Sequence, residues 1–310
     1  QQYPVAVWPI GAISRDTAGK DITEMVDMHR AGAVAFSDGQ HPVQHAGLMM
    51  RALLYVKTFG GVIINQPLDQ SIAGHGQMHE GPISTSLGML GIPALAEELM
   101  VERDLRLLAY TGSRLHVANL STAAAVAKVR AAKAEGLQVT ASVPVLNLLL
   151  DDGALADFDN NCKVLPPLRS ASDREALIEG LVDGTIDVLS ANHVPHVAEE
   201  KVLEFPYAAF GASGLETAFA VAQTALGDRL SPSRLVEKLA IAPRAILGLP
   251  ARSIAVEQAA DLTLFDPDYT WTPALSDIHS KGKNSPLIGR PLRGRPVAIF
   301  NRAQFWEIPN

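Results

Sequence analysis

Residues 186–196 read I-D-V-L-S-A-N-H-V-P-H. Ile186, Val188 and Leu189 make a short apolar strand that runs straight into a polar cluster, and in parallel α/β folds binding and catalytic groups gather where strands end in this way. The cluster offers an amide, Asn192, at a place where a carboxylate would make a strong metal ligand. That choice of side chain separates a working metal site from a relic of one.

Outward from this stretch the same rhythm repeats. Strand-like runs are read at Val5–Ile10, Gly32–Ser37, Gly61–Asn65, Arg114–Asn119, Leu137–Val143 and Ile186–Ala191, with amphipathic segments between them at Asp21–Arg30, Val43–Phe59, Ala94–Tyr110, Ala123–Glu135 and Ser172–Leu181. Helix starts carry local signals: Pro93 precedes one, Ser121-Thr122 can cap the next, and Ser170–Asp173 opens another. Alternating strands and helices call for a parallel sheet. No Gly-rich dinucleotide turn follows the first strand, so a (β/α) barrel fits better than an open sheet. A TIM-type barrel has eight such units, and six are legible. The expectation is therefore a chain that begins late in its barrel.

After Gly248 the texture changes. A-D-L-T-L-F-D-P at 260–267 and R-P-V-A-I-F-N at 295–301 read as strands in turn-rich surroundings. The predicted division is a barrel over residues 1–250 and a small β module, a sandwich, over 251–310.

The chain has 310 residues, 47% hydrophobic and 19% charged, which is globular composition with material for a large core. A formal net charge of -7, with 26 Lys and Arg scattered along the chain, argues against nucleic-acid or membrane-surface partners. The single cysteine, Cys162, cannot form an internal disulfide, and neither a signal-type start nor an apolar run of spanning length is present. A cytoplasmic protein is expected.

Placed on the strand ends, the polar residues converge: Asp38 after A-V-A-F-S, Gln66 after V-I-I-N, Asn119 in L-H-V-A-N-L-S-T, and Asn192. Nucleophile elbows, Walker loops and His-Glu-x-x-His helices are absent. His116 is read as a packed strand residue and His29 as a helix-end residue interacting with the helix dipole. His75 and His79 are four apart but in a Gly-interrupted stretch, so a metal pair is the less favoured reading there. Arg169 either meets a ligand or caps the helix that follows.

Several segments in order resemble the dihydroorotases and, more broadly, the cyclic-amide hydrolases of the amidohydrolase superfamily: Y-P-V-A-V-W-P-I-G-A-I at 3–13, A-G-A-V-A-F-S-D-G at 31–39, M-H-E-G-P-I-S-T-S-L-G at 78–88, V-L-P-P-L-R at 164–169, L-V-D-G-T-I-D-V at 181–188, G-L-E-T at 214–217, A-D-L-T-L-F-D-P, and K-N-S-P-L-I-G at 283–289. The resemblance makes the six strands the third to the eighth of the barrel. It implies a metal centre built from a His-x-His pair on the first strand, a carboxylated Lys or an Asp after the fourth, His residues after the fifth and sixth, and an Asp after the eighth that is also the general base. Asp38 matches the bridging acidic position, although the usual Asp-Asp-Gly is here Asp38-Gly39. Gln66 stands at the fifth-strand His, Asn119 at the sixth-strand His, and Asn192 at the eighth-strand Asp, while the His-x-His pair is not in the chain.

Each replacement is an uncharged amide, a weak ligand for zinc, and exchanging Asp for Asn also removes the proton acceptor. Without a metal, water keeps its bulk acidity. The expectation is a barrel with no resident cofactor, whose relict ligand positions are Asp38, Gln66, Asn119 and Asn192. His196, Asn147 and Arg169 are its substrate-pocket candidates. Such a protein would be a non-catalytic structural or regulatory partner of aspartate carbamoyltransferase, in a homodimer as is common in the family. The alternative is a working zinc-dependent hydrolase opening dihydroorotate or a related cyclic amide with ligands from a missing N-terminal segment plus Asp38.

Overall fold

A computed structural model describes residues 5–258, 260–301 and 303–308. Its strands are β1 (Ile10–Gly11), β2 (Ala35–Phe36), β3 (Ile63–Asn65), β4 (Met78–His79), β5 (Gly91–Ile92), β6 (Leu115–Val117), β7 (Val139–Pro144), β8 (Val188–Ser190), β9 (Asp261–Trp271), β10 (Leu292–Asn301) and β11 (Gln304–Glu307). Six of them form one sheet in the order β1-β2-β3-β6-β7-β8. Every pairing in it is parallel, so all six C-terminal ends open on the same side. The curled six-stranded sheet and its helices make the fold an α/β one of the expected barrel type. Among the described residues, β4 and β5 pair as a separate two-stranded ribbon that the periodicity had not suggested.

The helices form for reasons visible in the sequence. In Ala46–Lys57 the buried residues Leu48, Met49, Ala52, Leu53 and Val56 fall on one stripe. The His45 ring accepts from Leu48 N at its start, and Gly60, left-handed at φ 70°, lets Gly61 N reach back to Val56 O (2.9 Å) at its end. Thr122 caps Ala123–Ala134 by accepting from Ala125 N, and Ser170 caps Ala171–Val182 by accepting from Asp173 N. Arg169 is thus no helix cap. These helices pack on the sheet through Phe36, Ile63, Leu115, Val117, Ala141 and Val143, the centre of one continuous core.

Two elements start four or more residues later than the sequence reading placed them. The first strand is not Val5–Ile10 but begins at Ile10: Val5, Val7 and Trp8 lie exposed, and Pro9 has no N–H to give to a ladder. The helix expected over Asp21–Arg30 starts only at Met25, because Ile22 bridges to Ser14 instead. Tyr3 and Pro4, which open the first resemblance segment, lie outside the described residues.

Beyond β8 the chain continues in helices, including Ala218–Leu226. The C-terminal strands then form an antiparallel sheet, β11-β10-β9, which among the described residues is one layer rather than the two of a sandwich. It is seated on the helix Ala218–Leu226 by the Phe219 and Phe265 rings, 4.7 Å apart, and by Arg293 N donating to Thr224 Oγ1 (2.8 Å). A Cβ on Gly294 would lie 2.9 Å from Phe219 and Gln223, so this position takes glycine because the sheet lies so close. No helix among the described residues is long and apolar enough to cross a membrane.

Candidate functional site at the mouth of the sheet

Three of the four expected positions meet at the strand ends. Gln66 follows β3 directly, and Asn119 and Asn192 stand two residues past β6 and β8. Asn119 Nδ2 lies 3.4 Å from both Gln66 Oε1 and Asn192 Oδ1, a long contact that joins the three amides into one network. Asn192 Nδ2 in turn donates to Leu165 O (3.1 Å). Both asparagines have left-handed backbones, with φ 57° at Asn119 and 42° at Asn192, a conformation that asparagine and aspartate tolerate better than other side chains. The amides therefore suit the strand-end geometry as well as each other.

Asp38 follows β2 and is buried, but its carboxylate is occupied from a different direction. Oδ1 accepts from Ile13 N (2.8 Å) and Ser14 N (2.9 Å), and Oδ2 accepts from Ser14 Oγ. Ser14, which the sequence did not single out, thus holds the Asp38 carboxylate. Among the described residues, no three His, Cys, Asp or Glu side chains converge as a ligand set. The donor set does not fit a zinc ion: three of its four members are neutral amides, weak zinc ligands even though Asn119 keeps a buried Oδ1 without a partner, and the fourth, Asp38, is committed to the Ile13–Ser14 turn.

Asn147 lies just past β7, with Nδ2 on Pro167 O (3.1 Å) and its buried Oδ1 without a partner. Together with Asn192, Val145, Val164, Ala212 and Ser213 it lines a cavity of about 20 Å³, room for about one water. A larger hollow of about 330 Å³ lies at the opposite ends of the strands, beside Trp8, Arg244, Arg252 and Phe300. Its two guanidiniums are drawn onto Asp261 at 3.3 and 3.5 Å, and that face of a barrel ordinarily carries stability rather than chemistry.

Four other histidines are accounted for by protein contacts. His193 Nδ1 accepts from Gly214 N (3.2 Å) and Leu215 N (3.3 Å). A Cβ on Gly214 would lie 2.8 Å from Ala191 O, so glycine is needed for this loop to close on the end of β8. His196 has Nδ1 on Glu200 Oε2 (2.7 Å) and Nε2 on Phe210 O (3.0 Å), so both ring nitrogens face acceptors of the protein itself. His29 stacks on Phe59 at the end of its helix. His79 stands 3.2 Å from Arg169 Nη1, and burial and that guanidinium hold its pKa below the ordinary value.

Arg169 is the centre of a second, fully packed cluster behind the mouth. Its Nη1 donates to Ile92 O (2.6 Å) and its Nε to Ser121 Oγ (3.2 Å). Ser121 Oγ in turn donates to Glu97, which also accepts from Ser121 N (2.8 Å) and Thr122 N (3.1 Å). Burial pushes the Glu97 carboxyl up, against the pull of Arg169. Sequence reading missed Glu97, although a signal existed. Glu97 and Asp104 fall on the buried stripe of the helix Ala94–Thr111 with Ala96, Met100 and Val101, while Glu98 does not.

Comparison with known proteins agrees with this architecture. The profile of the family described as "Dihydro-orotase-like" matches residues 2–125. The chain is 47% identical over 298 residues to a protein named dihydroorotase from Pelotomaculum thermopropionicum, covering 96% of this chain and 70% of that one. It is 44% identical over 294 residues to another from Syntrophus aciditrophicus, covering 94% and 69%. Among solved structures, an L-hydantoinase (dihydropyrimidinase) from Arthrobacter aurescens superposes with a TM-score of 0.83 at 26% identity, over 96% of this chain and 68% of that one. With identity this high over most of both sequences, the chain belongs to the dihydroorotase family.

Proposed function

We propose that the chain is a dihydroorotase-like protein of pyrimidine biosynthesis that works without a metal centre, as a structural or regulatory partner of aspartate carbamoyltransferase and not as a hydrolase. The observation that carries this reading is the amide network of Gln66, Asn119 and Asn192 at the strand ends. An amide can neither replace an imidazole or carboxylate on zinc nor take a proton from water. With Asp38 committed to Ser14, no general base remains at the mouth among the described residues. The single Cys162 is buried and cannot form an internal disulfide, and we carry the cytoplasmic and homodimer expectations with this reading.

A second reading is favoured by the 47% identity to a protein named dihydroorotase. In it, residues outside this chain join Asp38 to hold zinc, and the assembled centre opens dihydroorotate. Turnover separates the two. Full-length protein supplied with zinc is expected to hydrolyse dihydroorotate no faster than buffer, whereas robust turnover would overturn the non-catalytic reading.

A further inference from the structure

The outward face of the helix Ala94–Thr111 carries large apolar groups where a solvent-facing helix would carry polar ones. Leu95, Leu99, Glu102, Arg106, Ala109 and Tyr110 fall on one stripe turned away from the core. Tyr110, Leu95 and Leu99 are 77%, 50% and 46% exposed. The helix Ala123–Ala134 lies alongside, tied to the first by Lys128 Nζ donating to Glu102 Oε2 (3.0 Å). Its own outward stripe holds only small apolar residues, Ala127, Ala131 and Ala134. Large side chains on one helix and alanines on the next make a ridge beside a shallow trough.

The ridge is also ordered about its own middle. Along the helix it reads apolar, acid, base, apolar: Leu99, Glu102, Arg106, then Ala109 and Tyr110. A second copy of this helix laid antiparallel sets each Glu102 against the other chain's Arg106 and each Leu99 against its Ala109 and Tyr110, whereas a parallel copy sets like charges together. A twofold interface requires self-complementarity of this kind. Acids and bases offset one another across the whole face. Glu102 is shared by Arg106 (2.9 Å) and Lys128, while Arg103 sits on Asp104, Arg130 on Asp183 and Lys133 on Asp187. Glu98 and Glu135 border the face with one sign and Arg51 and Lys57, on the helix Ala46–Lys57, with the other. Chains of net charge -7 repel one another in general, so copies approach most easily where the local charge is balanced.

We propose that the ridge of Ala94–Thr111, with the alanine trough of Ala123–Ala134, is the surface on which a second copy of this chain docks across a twofold axis at the level of Asp104. The two ridge helices run antiparallel, and Glu102 of each chain pairs with Arg106 of the other. Leu95, Leu99 and Tyr110 lose their water against the opposite chain, and the alanines let the helices come close. This interface rests on the homodimer expectation carried above and is independent of whether the mouth holds a metal.

The test is the sedimentation of full-length protein over a range of concentrations, with thermal midpoints verifying that each variant folds. The unaltered chain is expected to dimerise, and Leu99→Lys and Tyr110→Lys should each raise the dimer dissociation constant by at least about 10-fold. Glu102→Arg leaves only bases on the stripe and Arg106→Glu only acids, so each should self-associate more weakly than the unaltered chain. An equimolar mixture of those two variants should nevertheless form a heterodimer, because each then offers what the other lacks. Val202→Lys, at an exposed position after β8, should leave the dimer unchanged. A dimer indifferent to Leu99→Lys and Tyr110→Lys, or charge variants that do not rescue each other on mixing, overturns this face while the homodimer stands. A monomeric unaltered chain overturns the homodimer and the face together, and leaves the metal-free reading of the mouth to the turnover test.

Discussion

Glu97→Ala is expected to destabilise the protein by about 3–5 kcal/mol, the range for stripping a buried charge of its compensating partner, although Glu97 and Arg169 meet through Ser121 Oγ and not in a direct ion pair. Glu97 is 1% exposed and Arg169 3%, so neither charge has water to fall back on. Truncating the carboxylate strips four donors of their acceptor: the amides of Ser121 and Thr122 and the hydroxyls of the same two residues. It also leaves the guanidinium with only carbonyl, hydroxyl and imidazole neighbours. Those amides open the helix Ala123–Ala134, whose first turn then loses its acceptor as well. Glu97→Gln keeps the shape and one acceptor and should lie between the wild type and Glu97→Ala. Urea unfolding with an unchanged slope reads the difference, and a cost below about 1 kcal/mol would show that the cluster is peripheral to the fold.

Acid should weaken the fold through His116. The ring is buried in β6 with Nδ1 2.9 Å from Thr140 Oγ1, and burial, more than Asp187 or Lys133 nearby, drops its pKa from 6.5 to about 4. Above pH 6.5 the imidazole is neutral both folded and unfolded, and stability is undiminished. Between pH 6.5 and 4 the unfolded chain takes up a proton that the folded chain refuses, so stability falls as pH falls. A gap of that size corresponds to about 3 kcal/mol over the window. His116→Asn removes this one contribution while the carboxylates common to both proteins stay. The stability difference between wild type and variant should therefore narrow as the pH is lowered from 7 to 4, and a constant difference would mean that His116 is protonated within the fold.

Much of the architecture was legible because it rests on local pattern. Apolar runs bounded by Gly and polar residues located five of the six strands of the parallel sheet and touched the first only at Ile10, and Thr122 and Ser170 marked helix starts because capping is decided within three residues. The convergence of Gln66, Asn119 and Asn192 was legible too, since parallel strands bring their C-terminal ends together whatever the loops do. What was not legible depends on contacts between distant segments. Nothing in Ser14 announces that it will clamp Asp38, 24 residues on, because that needs the turn between them. The same holds for Lys201, whose buried amine reads in sequence as an ordinary member of the charged run Glu199-Glu200-Lys201. Glu97 is the intermediate case: its helical register predicted burial, but its partner Arg169 comes from another βα unit. His196 was expected to face a ligand, and only the folded loop reveals that Glu200 and Phe210 already satisfy its ring.

The proposed departure from family chemistry falls at three strand ends, where Gln66, Asn119 and Asn192 contact one another. Left-handed backbone at Asn119 and Asn192 adds a structural reason for asparagine to be well tolerated there. A barrel mouth held by neutral hydrogen bonds avoids the cost of clustering unpaired carboxylates and imidazoles in a partly buried site.

The most direct measurement is the metal content of full-length protein after zinc loading and dialysis, read by elemental analysis and by calorimetric titration with zinc. An amide network at Gln66, Asn119 and Asn192 predicts no stoichiometric zinc and no tight-binding isotherm. One tightly held zinc per chain, lost on substitution of Asp38 or Asn192, would contradict the account.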